Sequence, residues 1–280
     1  MPFLTEPEPP RGVATEVVAS IRRIVARNPG PMTYHGTNTY LIDGPEGASV
    51  IDPGPADEAH LREVIAAAGG TIARILVTHR HHDHVGGLAA MRAATGAKVY
   101  AFDAALVPDQ VLTDGVVVAG FTVLHTPGHS PDHVCFARED GVVMSADHVM
   151  GWSTSVVPPP PDGSMADYFA SLQLMLERRD WLYLPGHGPA IIEPLEHVQE
   201  LLRHRQARED QIMASLLAGP QSTEQLVARL YIGIDDKLRP MAVHSVNAHL
   251  LKLMDEGRVV LRKMVWWAIP VPRPARAKSA

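Results

Sequence analysis

The chain has 280 residues, 46% hydrophobic and 20% charged, with a formal net charge of −6, an ordinary composition for a globular protein with a large core and a small second unit. No run of about 18 apolar residues exists, so no membrane span and no membrane partner are expected. The acidic, proline-rich Met1–Pro10 lacks an apolar signal core, and the single Cys135 reads as a packed strand residue rather than a nucleophile or disulfide partner; both predict a cytoplasmic protein.

Strand-like segments at Ile21–Ala26 and Asn38–Ile42, separated by Pro29-Gly30-Pro31, predict a hairpin-rich start. Ser49-Val50-Ile51 is a further strand ending in the turn Asp52-Pro53-Gly54, and a helix is predicted from Ala56 to Ala68, closed by Gly69-Gly70. The apolar run Ile72–Val77 then enters Thr78-His79-Arg80-His81-His82-Asp83-His84, and Gly86-Gly87 leads into a helix over Leu88–Thr95. Lys98–Phe102 and two glycine-bounded strands precede Val156-Val157-Pro158-Pro159-Pro160-Pro161-Asp162-Gly163. Prolines fix φ and remove backbone donors, so this loop is stiff. It reads either as a rigid wall of a substrate cleft or as a connector into a helix capped by Ser164 with Asp167 three residues on.

A second unit follows. Val198–Leu217 reads as a long amphipathic helix stopped by Gly219-Pro220, Ser222-Thr223-Glu224 starts a short helix to Leu230, and Met241–Met254 makes a third. Gly257 releases two strands, Val259–Leu261 and Val265–Ile269, completing the pattern of a winged helix. The predicted division is a catalytic domain over 1–197, a winged-helix-like domain over 198–270, and a disordered proline- and basic-rich tail over 271–280.

The chemistry is concentrated at positions 79–84, where four histidines and an aspartate offer neutral imidazole nitrogens and a hard anionic oxygen suited to zinc or a similar divalent ion. His79 and His81, one residue apart, can turn their rings to one side, while Asp83 and His84 can face a second ion. A lone histidine is more often a surface or core residue, but a core segment would not carry five ionisable groups without partners. His129 in Thr126-Pro127-Gly128-His129, Asp147 in Ser145-Ala146-Asp147 and His187 in Pro185-Gly186-His187-Gly188 each follow a short apolar run. Ligands on successive strand-to-loop junctions converge at one edge of a sheet.

His79, His81, Asp83 and His84 resemble the HxHxDH signature of the metallo-β-lactamase-fold hydrolases, and His129, Asp147 and His187 fall in the order that family requires. The resemblance implies an α/β fold, the four-layer αββα sandwich. It implies His79, His81 and His129 on one metal, Asp83, His84 and His187 on the other, and Asp147 bridging both. Asp83 is then also the candidate catalytic proton handler. Two ions in such a site can share a water and lower its pKa toward neutrality, so a metal-bridging hydroxide is the expected nucleophile, with two divalent ions, zinc by preference, as cofactors. His133 and His148 are candidates for substrate contact or for bracing ligands, Asp52 either orients a ligand histidine or closes its turn, and His82 is not expected to ligate. A cytoplasmic location counts against a secreted antibiotic-destroying enzyme.

Gly36-Thr37-Asn38-Thr39-Tyr40-Leu41-Ile42, the Asp52-Pro53-Gly54 turn, Thr126–His129 with Asp132-His133, and the C-terminal winged helix are together similar to one subgroup, of the beta-lactamase-like protein 2 type and related to glyoxalase II-like hydrolases. Such winged-helix-tailed hydrolases include a single-strand endoribonuclease. Residues 200–280 carry 13 Lys and Arg against 8 Asp and Glu, while 1–199 carry 12 against 23, so the tail could attract a polyanion. Within Met241–Met254, however, Lys252 stands alone among Lys and Arg, which equally suits a winged helix that covers the active-site edge or forms a homodimer. The leading expectation is hydrolysis of an ester, thioester or lactone of a small metabolite; a single-strand endoribonuclease acting on single-stranded RNA and a non-enzymatic, metal-dependent nucleic-acid-binding regulator are the alternatives.

Overall fold

The computed structural model describes residues 3–269. The tail predicted over 271–280 lies outside them. The first half runs β1 (Thr15–Val18), β2 (Ile21–Val25), β3 (Asn38–Ile42), β4 (Ala48–Ile51), α1 (Glu58–Ala68), β5 (Ile72–Leu76), α2 (His82–Val85), α3 (Leu88–Thr95), β6 (Lys98–Ala101) and β7 (Gln110–Val111). These strands form one seven-stranded sheet in sequence order, antiparallel from β1 to β4 and parallel from β4 to β7. The second half adds β8 (Val117–Val118), β9 (Phe121–His125), β10 (Val134–Arg138), β11 (Val142–Ala146), α4 (Met165–Leu176), β12 (Leu182–Pro185) and β13 (Ile191–Ile192). Its six-stranded sheet has the order β13-β12-β11-β10-β9-β8.

Both sheets are covered on both faces, which is why their central strands read as continuous apolar runs rather than alternating ones. In β3, Tyr40 and Ile42 join a core between the sheets with Phe121, Phe136 and Leu184, whereas Leu41 packs on the other side with Leu61, Val64 and Met91 of α1 and α3. In β10, Val134 and Phe136 face the inter-sheet core, while Cys135 and Ala137 pack against Tyr168, Leu172 and Met175 of α4. Helix, sheet, sheet, helix is the four-layer sandwich, and the strand ends of both sheets meet at one edge. No described helix is long and apolar enough to cross a membrane.

Helix starts follow capping chemistry. The first helix begins at Glu58 rather than Ala56 because Asp57 accepts from the amides of Ala59 and His60. Ser164 accepts from the Asp167 amide at the start of α4, as expected. The helix predicted from Val198 begins at Pro194, where proline at the first helical position lacks only an amide with no intrahelical acceptor. This α5 (Pro194–Leu217) is continuous across the predicted 197/198 division. Its first half supplies Val198 and Leu201 to the core of the second sheet, and its second half supplies Ile212 and Leu216 to a separate core. That core is completed by α6 (Thr223–Leu230), α7 (Arg239–Asp255) and the hairpin β14 (Val259–Arg262)–β15 (Val265–Ala268).

Two buried histidines give the fold an acid sensitivity. Burial pushes His60 of α1 and His249 of α7 down to about 4. Both stay neutral in the folded chain while the unfolded chain protonates them, so the unfolded state binds more protons between about pH 6.5 and 4. Their contribution is present above pH 6.5 and is lost as pH falls, by up to about 1.4 kcal/mol per pH unit for each. Denaturant midpoints of the wild type should therefore drop from pH 7 to pH 5, and His60→Gln should reduce the slope.

Candidate metal centre

At the shared sheet edge the backbone turns sharply after three strands. Asp52 after β4 and Ala146 at the end of β11 adopt left-handed φ values of 51° and 43°, and Gly128 lies at 140° where any Cβ would strike the Tyr168 backbone 2.5 Å away. Strained non-glycine residues cost about 1–3 kcal/mol each and persist where surrounding contacts fix them. For Asp52 those contacts are explicit: its carboxylate accepts from the Thr78 amide at 2.9 Å, from Thr78 Oγ1 at 2.7 Å and from His84 Nδ1 at 2.7 Å. Asp52 therefore orients His84, one of the two roles open to it in the sequence.

The structure brings all seven predicted ligand residues together. The ligand atoms of His79, His81, His129 and Asp147 lie within 4.8 Å of one another, and those of Asp83, His84 and His187 form a second such group. His79 Nε2 and His129 Nε2 approach His81 Nδ1 at 3.0 and 2.9 Å. Asp147 stands between the groups, 3.5 Å from His129 Nε2, His84 Nε2 and His187 Nε2. Asp83 Oδ2 lies 3.2 Å from His187 Nε2 and 3.6 Å from His84 Nε2.

The outer ring nitrogens set which atom faces inward. His129 Nδ1 donates to Val156 O at 2.6 Å and His187 Nδ1 to Gly36 O at 3.3 Å. Thr78 gives its hydroxyl proton to Asp52, so His79 Nδ1 donates to Thr78 Oγ1 at 3.0 Å. With His84 tied to Asp52, four rings turn Nε2 inward, the atom each would offer a cation. Burial, reinforced by neighbouring imidazoles, lowers His79 well below its usual range and His81 to about 4. Burial alone would raise Asp83 and Asp147, but His84 and His187 outweigh it and hold both carboxylates ionised. Conversely Asp147 overcomes burial at His187 and pushes it up to about 9.

These residues fit a divalent cation. His84 Nε2 and Asp147 Oδ1 are buried with no hydrogen-bond partner among the described residues, and the donor set of five imidazoles and two carboxylates is that of zinc, iron or manganese. A Cβ on Gly186 would lie 2.3 Å from Asp147 Oδ1, so glycine alone leaves room for the carboxylate there. Removing an orienting partner tests the arrangement from outside. Asp52→Ala leaves His84 Nδ1 and the Thr78 amide without their acceptor, and metal affinity measured by chelator competition should fall about 10- to 100-fold.

The cluster opens into a cleft of about 440 Å³ walled by Met32, Val156, Pro158 and Met241, with Arg80, Asp162 and His244 at its sides. The proline loop is thus a wall of this cleft as well as the connector into α4. His133 and His148 are fully buried; His133 Nδ1 meets Thr126 Oγ1 at 2.9 Å, and neither lines the cleft. His82 is exposed and outside the cluster. Sequence reasoning missed Thr37, whose hydroxyl donates to Asp83 at 3.4 Å, and Asn38, whose amide nitrogen donates to Pro185 O at 2.9 Å and Gly188 O at 3.0 Å, fixing the His187 turn. The available signal was polar residues in a strand buried on both faces. Met241 and His244 of α7 were missed too, because nothing local in the winged helix tells which surface it covers.

The metallo-beta-lactamase superfamily model matches residues 32–109 and 102–187, and the beta-lactamase associated winged helix domain matches 222–266. Over 278 residues the chain is 33% identical to a beta-lactamase-like protein 2 homolog of Drosophila melanogaster, covering 89% of this chain and 92% of that one. It is also 33% identical over 298 residues to an atrochrysone carboxyl ACP thioesterase of Passalora fulva, covering 95% and 87%. A beta-lactamase domain protein from Burkholderia ambifaria superposes with a TM-score of 0.81 at 22% identity, covering 93% of this chain and 95% of that chain.

Proposed function

We propose, from the premise that this chain belongs to the metallo-beta-lactamase superfamily and is a metal-dependent hydrolase, that it cleaves the thioester, or a related ester or lactone, of a small metabolite at a pair of divalent ions, zinc by preference. The observation that carries the reading is a two-group histidine–carboxylate cluster at the floor of a cleft with apolar walls. His79, His81 and His129 would hold one ion, Asp83, His84 and His187 the other, with Asp147 reaching both. Bound there, the ions supply Lewis acidity and lower the pKa of water toward neutrality.

The protein's own groups do the rest. Met32, Val156, Pro158 and Met241 exclude water and receive an apolar acyl chain. Asp83 is the partly exposed ligand carboxylate, 30% accessible and facing the cleft, so it is placed to take and return a proton. Thr37 and His187 fix its orientation. The relative named as an ACP thioesterase, aligned over nearly the whole chain, supports a thioester as substrate.

Charge supports a small molecule over single-stranded RNA. Arg80 is the one Lys or Arg among the described residues of the cleft, and it lies 3.7 Å from Asp103 and 3.8 Å from Asp162. On α7, Lys252 is 13% exposed and pairs with Glu209 at 3.1 Å and Glu256 at 2.6 Å, leaving it little freedom to meet phosphates. The test is turnover of the zinc-loaded chain on thioesters, esters and lactones beside a single-stranded RNA, with His81→Ala as control. Acyl hydrolysis lost in the variant supports the reading; RNA cleavage without acyl hydrolysis overturns it.

A further inference from the structure

Beside the metal cleft lies a second pocket of about 220 Å³, between the sandwich and the winged helix. Met32, Val156 and Met241 line both, so the two adjoin. Its walls include the apolar Ile234 and Leu238, and among them stand the polar groups of His204, Arg205, Arg208 and Ser245 with the aromatic Tyr231.

Its polar groups are incompletely used. Arg205 is only 3% exposed, and among the described residues neither it nor Arg208 pairs with a carboxylate. Arg205 Nη2 donates to Ser155 O, but its Nε is buried without a partner among the described residues. Ser245 Oγ and His204 Nδ1 are likewise buried and, among the described residues, unpartnered. Glu209, one helical turn beyond Arg205, is taken up by Lys252 at 3.1 Å, His249 at 3.3 Å and Arg258 at 3.7 Å. Arg208 lies over the Tyr231 ring at 4.2 Å, with Nη1 donating to Leu230 O at 3.1 Å. A buried guanidinium without a counter-ion is costly unless something else supplies the negative charge. The field is felt locally: burial, then Arg205 and Arg208, push His204 down to about 4.

We propose that this pocket is an oxyanion subsite, taking a phosphate or carboxylate carried on the leaving-group arm of the substrate while the scissile thioester sits at the metal cleft. Planar guanidinium donors are suited to both groups, and Ser245 adds a hydroxyl donor. The assignment rests on the thioester reading for the identity of the arm, and it gives the winged helix a role in choosing the substrate.

The experiment is calorimetric titration of the full-length, zinc-loaded chain with three thiol arms: pantetheine, 4′-phosphopantetheine, and pantetheine bearing a terminal carboxylate. The shared thiol cancels any contact with the metals. At least one anionic arm should bind about tenfold or more tightly than pantetheine, a difference of about 1.4 kcal/mol or more, and the stronger of the two identifies the group. Arg208→Ala should collapse that preference and Arg208→Lys should retain part of it. No preference in the wild type, or a preference that survives Arg208→Ala, overturns the subsite. The S-acyl forms of the same arms separate the two readings. Anion preference in binding with no acyl hydrolysis removes the thioester reading and keeps the subsite. Hydrolysis with equal kcat/KM for every arm, unchanged in Arg208→Ala, does the reverse.

Discussion

Asp147→Asn is expected to lower acyl-thioester turnover more than 100-fold and to release bound metal, while the chain stays folded. Losing an outer partner of a metal ligand costs about 10- to 100-fold, and Asp147 is the carboxylate placed within 3.5 Å of three inward-facing imidazole nitrogens from both groups. Asparagine keeps the volume and removes the charge that His84 and His187 face. Asp83→Asn makes the comparison informative. Asp83 lies at the accessible edge, so its loss should reduce kcat more than metal content, as expected of a group that handles a proton as well as holding an ion. Metal content by elemental analysis, together with kcat and KM, distinguishes the two. Full turnover in Asp147→Asn would remove it from the centre.

Gly186→Ala should have an effect as large by a different route. The Gly186 amide donates to Ala146 O at 3.0 Å and its carbonyl accepts from the Asn38 amide at 2.8 Å, so its backbone cannot retreat. An added methyl would stand 2.3 Å from Asp147 Oδ1 and 2.8 Å from His84 Cε1, closer than real contacts allow. Its φ is not in the left-handed region, so alanine is excluded by the ligands alone. The ligands must move, and about 100-fold loss of metal affinity is expected at a stability cost of about 1–3 kcal/mol. Chelator competition alongside thermal denaturation checks both. An unchanged metal affinity would mean that Asp147 and His84 do not share an ion.

Much of this site is legible in the sequence because its ligands follow apolar runs that can only be buried strands. His79 after Ile72–Val77 and His129 after Phe121–His125 are read locally, and the sheets place them at one edge. The elements that escaped are those with little local signal. The paired strands Gln110–Val111, Val117–Val118 and Ile191–Ile192 are two residues long, and the helix His82–Val85 is a single turn within the motif. Contacts between distant positions were also beyond reach: Asn38 meets the carbonyls of Pro185 and Gly188, and Met241 meets the cleft, through folding alone.

The winged helix illustrates the same limit in function. Its basic balance invites a polyanion, yet α7 turns Met241 and His244 toward the metal cleft and ties Lys252 to two glutamates. That placement suits a domain that completes the substrate pocket.

The most direct measurement is a metal titration of the stripped chain, followed by acyl-thioester turnover at each loading and with single-stranded RNA in parallel. Turnover that rises with added zinc and saturates at two equivalents per chain, with RNA left intact, is the predicted result. Turnover that persists in chelator, or RNA cleavage with no acyl hydrolysis at any loading, would contradict it.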